Sequence, residues 1–154
     1  MDRNGGGSAL YVSSEVPCRV ISINDTVEDS LFCEIRPTST TCALVGVIYR
    51  PPLSDLLEVC NNIRRVINRR YTNVLLMGDF NCPRATLATA SSDSSDAHPL
   101  VQLMSDLHLT QHVTEATRYG SDGRGSLLDL IFTNEEHMIS SMQMSPSKSM
   151  VTMH

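Results

Sequence analysis

The stretch Asn73-Val74-Leu75-Leu76-Met77-Gly78-Asp79-Phe80-Asn81 constrains the fold of this chain more than any other. Its short apolar run reads as a buried strand, and it stops abruptly at Gly-Asp-x-Asn. That ending carries a carboxylate and a carboxamide out of the core and into a cleft at the C-terminal end of the strand, with Gly78 leaving room beside them. Asp79 can accept a proton or touch a metal ion. Asn81 can donate to a phosphate oxygen without adding negative charge. An acid beside an amide suits hydrolysis of an anionic substrate better than two acids do.

With 154 residues the chain is one domain at most. Its 41% hydrophobic residues suffice for a real core, while 5% aromatic residues and no Trp leave no obvious surface for stacking bases. The net charge of −5 argues against a protein that simply coats nucleic acid, though not against an enzyme that holds one phosphodiester. The five cysteines, Cys18, Cys33, Cys42, Cys60 and Cys82, show no C-x-x-C spacing. They read as reduced thiols in an intracellular compartment rather than a structural zinc site. A polar, Gly-rich start without a signal peptide, and no run of about 18 apolar residues, point to a soluble nuclear or cytoplasmic protein that neither is secreted nor enters a membrane.

The first third alternates strand candidates with turns. Residues 8–12, 18–23, 31–36 and 41–49 are rich in Val, Ile, Tyr, Phe and Thr, and their spacing of roughly ten residues predicts antiparallel neighbours. Pro51-Pro52 ends the last of these strands. A helix follows, with Ser54 as its expected cap and an apolar stripe of Leu53, Leu56, Leu57, Cys60, Ile63 and Ile67. Arg64, Arg65, Arg69 and Arg70 suit the negative end of its dipole, and a solvated helix end explains them better than a DNA contact does. After the central strand comes a Ser/Thr/Ala/Asp loop over 83–96. Asp96 is placed to cap a second helix, with Leu100, Leu103, Met104 and Leu107 inward. Residues 110–125 read as irregular. A second apolar strand over 127–132 carries Asp129 in its middle. Past Asn134 the periodicity is lost, so the expected organisation is a domain over 1–134 and a weakly ordered tail over 135–154. His98, His108 and His112 are irregularly spaced and read as surface or core residues, not metal ligands.

Four segments, taken in order, carry a resemblance. They are Gly5-Gly6-Gly7-Ser8-Ala9-Leu10-Tyr11-Val12, Val47-Ile48-Tyr49-Arg50-Pro51-Pro52, Leu76-Met77-Gly78-Asp79-Phe80-Asn81 and Ser126-Leu127-Leu128-Asp129-Leu130-Ile131-Phe132-Thr133, with Thr117-Arg118 before the last. Over roughly 5–134 the chain resembles the endonuclease/exonuclease/phosphatase family, and most closely the nuclease domain of non-LTR retrotransposons. The resemblance implies an α/β fold, a two-sheet sandwich flanked by helices, with the site where strand ends converge. It also implies cleavage of a DNA phosphodiester with Mg²⁺ (Mn²⁺ possible). By the same resemblance Asp79 binds the metal and activates or positions the attacking water. Asn81 holds the phosphate, Tyr49 sits near the scissile group, Asp129 orients a histidine, and Arg50 meets substrate phosphate.

The departures are equally specific. The family domain opens with strands bearing an Asn and a metal-binding Glu, and neither is found here. It closes on a Ser-Asp-His segment, whereas the corresponding stretch here reads Ser145-Pro146-Ser147-Lys148-Ser149-Met150-Val151. The expectation is therefore an incomplete domain with impaired nuclease activity. The alternatives are an inactive remnant with at most a binding role, and a phosphatase acting on a small substrate.

Overall fold

The structure, a computed structural model, describes residues 8–22, 30–67, 71–82, 98–119, 125–145 and 148–153. The chain enters as extended coil. Residues 8–12, read as a strand, belong to none of the strands of the described residues; Leu10 packs on the core, and Val16 turns back to Ser13. Strands β1 (Cys18–Ile21), β2 (Ser30–Ile35) and β3 (Ala43–Tyr49) follow as an antiparallel meander, as their spacing predicts. Helix α1 (Leu56–Val66) then crosses over to β4 (Asn73–Asp79), which lies parallel to β3. A parallel partner needs such a crossover, because a tight turn can join only antiparallel neighbours.

Helix α2 (His98–Leu107) packs on α1 and leads to β5 (Thr110–Gln111). A small hairpin of β6 (Arg118–Tyr119) and β7 (Gly125–Ser126) precedes β8 (Asp129–Thr133), which runs antiparallel to β4. The result is one six-stranded sheet in the order β1-β2-β3-β4-β8-β5. Beyond a 3₁₀ turn over Glu136–Met138, β9 (Ile139–Ser145) pairs antiparallel with β10 (Lys148–Met153) as a separate two-stranded sheet.

Alternation along the strands divides the core. Leu44 and Ile48 of β3, Val74 and Leu76 of β4, and Leu130 and Phe132 of β8 face α1 and α2. Val45, Leu75 and Ile131 face the other way and pack with Val113, Leu10, Met138 and Ile139. A strand buried on both faces reads as a continuous apolar run, which is why Val74–Met77 showed no alternation.

The structure shifts two details of α1. Its cap is Asp55, whose carboxylate accepts from Leu57 N at 2.9 Å, while the Ser54 hydroxyl donates to Pro51 O. Its buried face is Leu56, Val59, Cys60, Ile63 and Val66; Leu57 is largely exposed, and Leu53 stands fully exposed before the helix at φ 72°. Both stripes satisfy helical spacing, and only the start of the helix chooses between them. Gly5 to Gly7, the loop over 83–96, Asp96, Arg69 and Arg70 lie outside the described residues.

Candidate active site

Three neighbouring strands end in one row. In the parallel pair Tyr49 of β3 lies opposite Asp79 of β4, and in the antiparallel pair Asp79 lies opposite Asp129 of β8. Register partners point to the same side of a sheet. Counting by twos from Val45, Leu75 and Ile131 puts all three side chains on the face away from the helices. All three are half-buried, at the rim rather than in the interior.

The chain between Asp79 and Asn81 turns sharply. Gly78 has φ 136°, and a Cβ built there falls 1.9 Å from Ile48 O, so only glycine permits β4 to approach β3 at this point. Asp79 Oδ1 accepts the Asn81 N–H at 2.8 Å, closing an Asx turn with Asn81 at φ 46°. Between them Phe80 turns inward, fully buried, and meets Phe132 edge-to-face with ring centroids 5.3 Å apart. The Asn81 carboxamide makes no hydrogen bond among the described residues, which leaves it free to donate outward.

Burial raises the Asp79 carboxyl above its ordinary pKa, and the charge of Asp129 adds to the rise. The Asn81 N–H, Arg118 and Arg50 act in the opposite sense. A carboxylate with a raised pKa is a better proton acceptor once ionised. Asp129 and Asp79 are the only described acids in the row, and no group of three or more His, Cys, Asp or Glu side chains able to hold a metal occurs among the described residues.

The family model described as endonuclease-reverse transcriptase matches residues 43–150, more than half of the chain. The chain belongs to this family. The sequence resemblance to endonuclease/exonuclease/phosphatase nucleases thus holds, and the mixed α/β architecture agrees with it. The fold is similar to that of the endonuclease domain of TRAS1, a telomere-specific non-LTR retrotransposon, with a TM-score of 0.67 at 17% identity over 87% of this chain. This chain spans 62% of the length of that domain. It is also similar to an endonuclease/exonuclease/phosphatase family protein from Leptotrichia buccalis, with a TM-score of 0.51 at 16% identity over 73% of this chain and 43% of that one. No curated protein matches the chain.

In this endonuclease-reverse transcriptase family member Arg50 also braces the turn. Its guanidinium donates through Nε to Phe80 O at 2.6 Å, through one terminal nitrogen to Asn81 O at 2.6 Å, and through the other to Ser54 O. Its backbone N–H donates to Asp79 O at 2.8 Å. Arg50 therefore clamps the turn, with three of its five donors on main-chain carbonyls. Nothing in the sequence pattern signals that reach.

Two residues gain a place that sequence reasoning left blank. The Thr117 hydroxyl accepts the backbone N–H groups of both Leu128 and Asp129 at 3.0 Å. Arg118, beside it on β6, is exposed and close enough for its charge to act on Asp79. Their signal was the Thr-Arg pair preceding the last matched segment. Of the helix-end arginines, Arg64 binds Asp106 of α2 at 2.9 Å and so ties the two helices together, while Arg65 bonds Asn62 within α1. His112 Nε2 lies 2.6 Å from Thr133 Oγ1, at the opposite end of β8 from Asp129.

Proposed function

We propose that this chain carries the hydrolytic half of a retrotransposon-type endonuclease, cleaving DNA phosphodiester bonds with a divalent cation, Mg²⁺ or Mn²⁺. One observation carries the reading: Tyr49, Asp79 and Asp129 share a register row and a sheet face, with Asn81 two residues on. Residues that act on one phosphate need this common address, and separate strands supply it.

The oxygen-only donor set fits a hard cation. Asp79 would hold it, with water and substrate oxygens completing the shell, since Mg²⁺ binds through as few as one or two carboxylates. When bound, such a cation polarises the phosphoryl oxygen and stabilises the charge on the leaving oxygen. The remaining work falls to the chain itself. Ionised Asp79 accepts the proton of the attacking water, Asn81 donates its amide N–H to a non-bridging phosphate oxygen, and Tyr49 positions the scissile group from the neighbouring strand. By the resemblance, Asp129 would orient a histidine acting as a general acid–base, a role that typically contributes roughly 10²–10⁴-fold.

Plasmid nicking in Mg²⁺ and in Mn²⁺ tests this, wild type against Asp79→Ala. Metal-dependent nicking that falls by about 10²-fold or more in the variant is the expected result. Nicking at background in the wild type sinks the reading in favour of an inactive remnant that at most binds DNA.

A further inference from the structure

The last rung between β4 and β8 is only half made. Asp79 pairs with Asp129, so the next pair outward is Phe80 with Leu128. In a regular antiparallel ladder that pair exchanges two hydrogen bonds. Here Phe80 N donates to Leu128 O at 2.9 Å, but the reciprocal bond is replaced at both ends. Leu128 N donates to Thr117 Oγ1, and Phe80 O accepts from Arg50 Nε. Asp129 N, on the side away from β4, goes to the same Thr117 oxygen. Thr117 is itself fixed to the hairpin through its own N–H, which donates to Ser126 O at 2.9 Å.

The arrangement has a mechanical meaning. A strand's first residues fray, because their amides lack partners on one side. At Asp129 the two orphan amides converge on one hydroxyl with two acceptor lone pairs. We infer that Thr117 is a positioning residue: by receiving both amides it fixes where Asp129 stands relative to Asp79 and, through Leu128 O and Phe80 N, how the Asp79–Asn81 turn leaves the sheet. This rests on the hydrolytic reading for its purpose but not for its geometry. Thr117 touches no reacting atom; it acts through Asp129 and the turn.

The test compares Thr117→Val, of equal shape without the hydroxyl, with Thr117→Ser, which keeps it. Amide hydrogen exchange by NMR in the Val variant is expected to run about tenfold faster at Leu128 and Asp129, the effect of one lost hydrogen bond at each, with Leu76 and Leu130 in the ladder interior unchanged. Thr117→Ser restores protection. Where nicking is measurable, kcat falls by about 10²-fold in the Val variant while KM for DNA holds, because displacement of a catalytic group costs rate rather than binding. Wild-type protection at Leu128 and Asp129 in Thr117→Val overturns the inference, as does a Ser variant that behaves like Val. Should Val prevent folding, Thr117→Ala removes the same acceptor and carries the same comparison. A wild type that never nicks removes the hydrolytic reading alone, and the exchange data then decide the bracing role unaided.

Discussion

At the scale of single residues the site depends on what Gly78 lacks. The positive φ and the carbonyl of Ile48 together forbid a side chain there, so Gly78→Ala must move β4 away from β3 or distort the turn. Strain of this kind is worth about 1–3 kcal/mol, and the backbone collision puts this case at the upper end. Equilibrium urea unfolding monitored by circular dichroism should show that loss. An alanine variant as stable as wild type would mean that the strands have room that the structure denies them. The place of Asp79 at the end of the central strand was legible because the apolar run stops there. The carbonyl clamp of Arg50 was not legible: an arginine beside an acid invites an electrostatic reading, while its fork of donors suits carbonyls equally well. Charge is written in the sequence; reach is not.

At the scale of elements, chemistry follows register. Asp79 and Asp129 are 50 positions apart in the sequence, and only the antiparallel pairing of β4 with β8 sets them face to face. The charge of Asp129, opposite in the adjacent strand, disfavours the ionised form of Asp79. Replacing Asp129 by Asn should therefore lower the pKa of Asp79, which ¹³C NMR titration of the Asp79 carboxyl reads directly; an unchanged midpoint would separate the two groups. The sign for stability is also set. A carboxyl with a raised pKa in the folded state supports folding below its unfolded pKa, and that support is lost as pH rises through the folded value. The site is thus held ionised against the preference of the fold. Legibility at this scale was uneven. The central strand, the meander and both helices were readable from composition and periodicity, because burial on one or two faces leaves its period in the chain. The caps and stripe of α1 slipped because Ser54 and Asp55 are both capable caps and the two stripes share Leu56, Cys60 and Ile63. The ladder row itself was not readable, since no local pattern encodes which distant residue lies opposite Asp79. Only the order of matched segments pointed to it.

At the scale of the whole molecule, small polar ties far from the row couple stability to pH. Thr133 is buried and gives its one hydroxyl proton to Glu135 O at 2.7 Å, so the 2.6 Å contact from His112 Nε2 has the imidazole as donor. Burial lowers the His112 pKa, with the charge of Glu136 opposing. A lowered folded-state pKa means stability that is complete above the unfolded value of about 6.5 and lost as pH falls through the folded value. The melting temperature should accordingly drop between pH 7 and pH 5, and drop less in His112→Gln, which donates to Thr133 but does not titrate. Equal drops in both proteins would assign the effect to other groups. This end of β8 is remote from Asp129, so its loss need not touch the row until the sheet itself opens.

Phe80 stands between the acid and the amide yet is the one member of the trio turned wholly inward, against Phe132. The two outward groups therefore pivot on a hidden aromatic peg. Trimming that peg to leucine leaves every polar atom in place and alters nothing a ligand could touch, but it loosens the mounting on which aim depends. Drift in such an element would leave every outward polar group in the sequence and still change where those groups point.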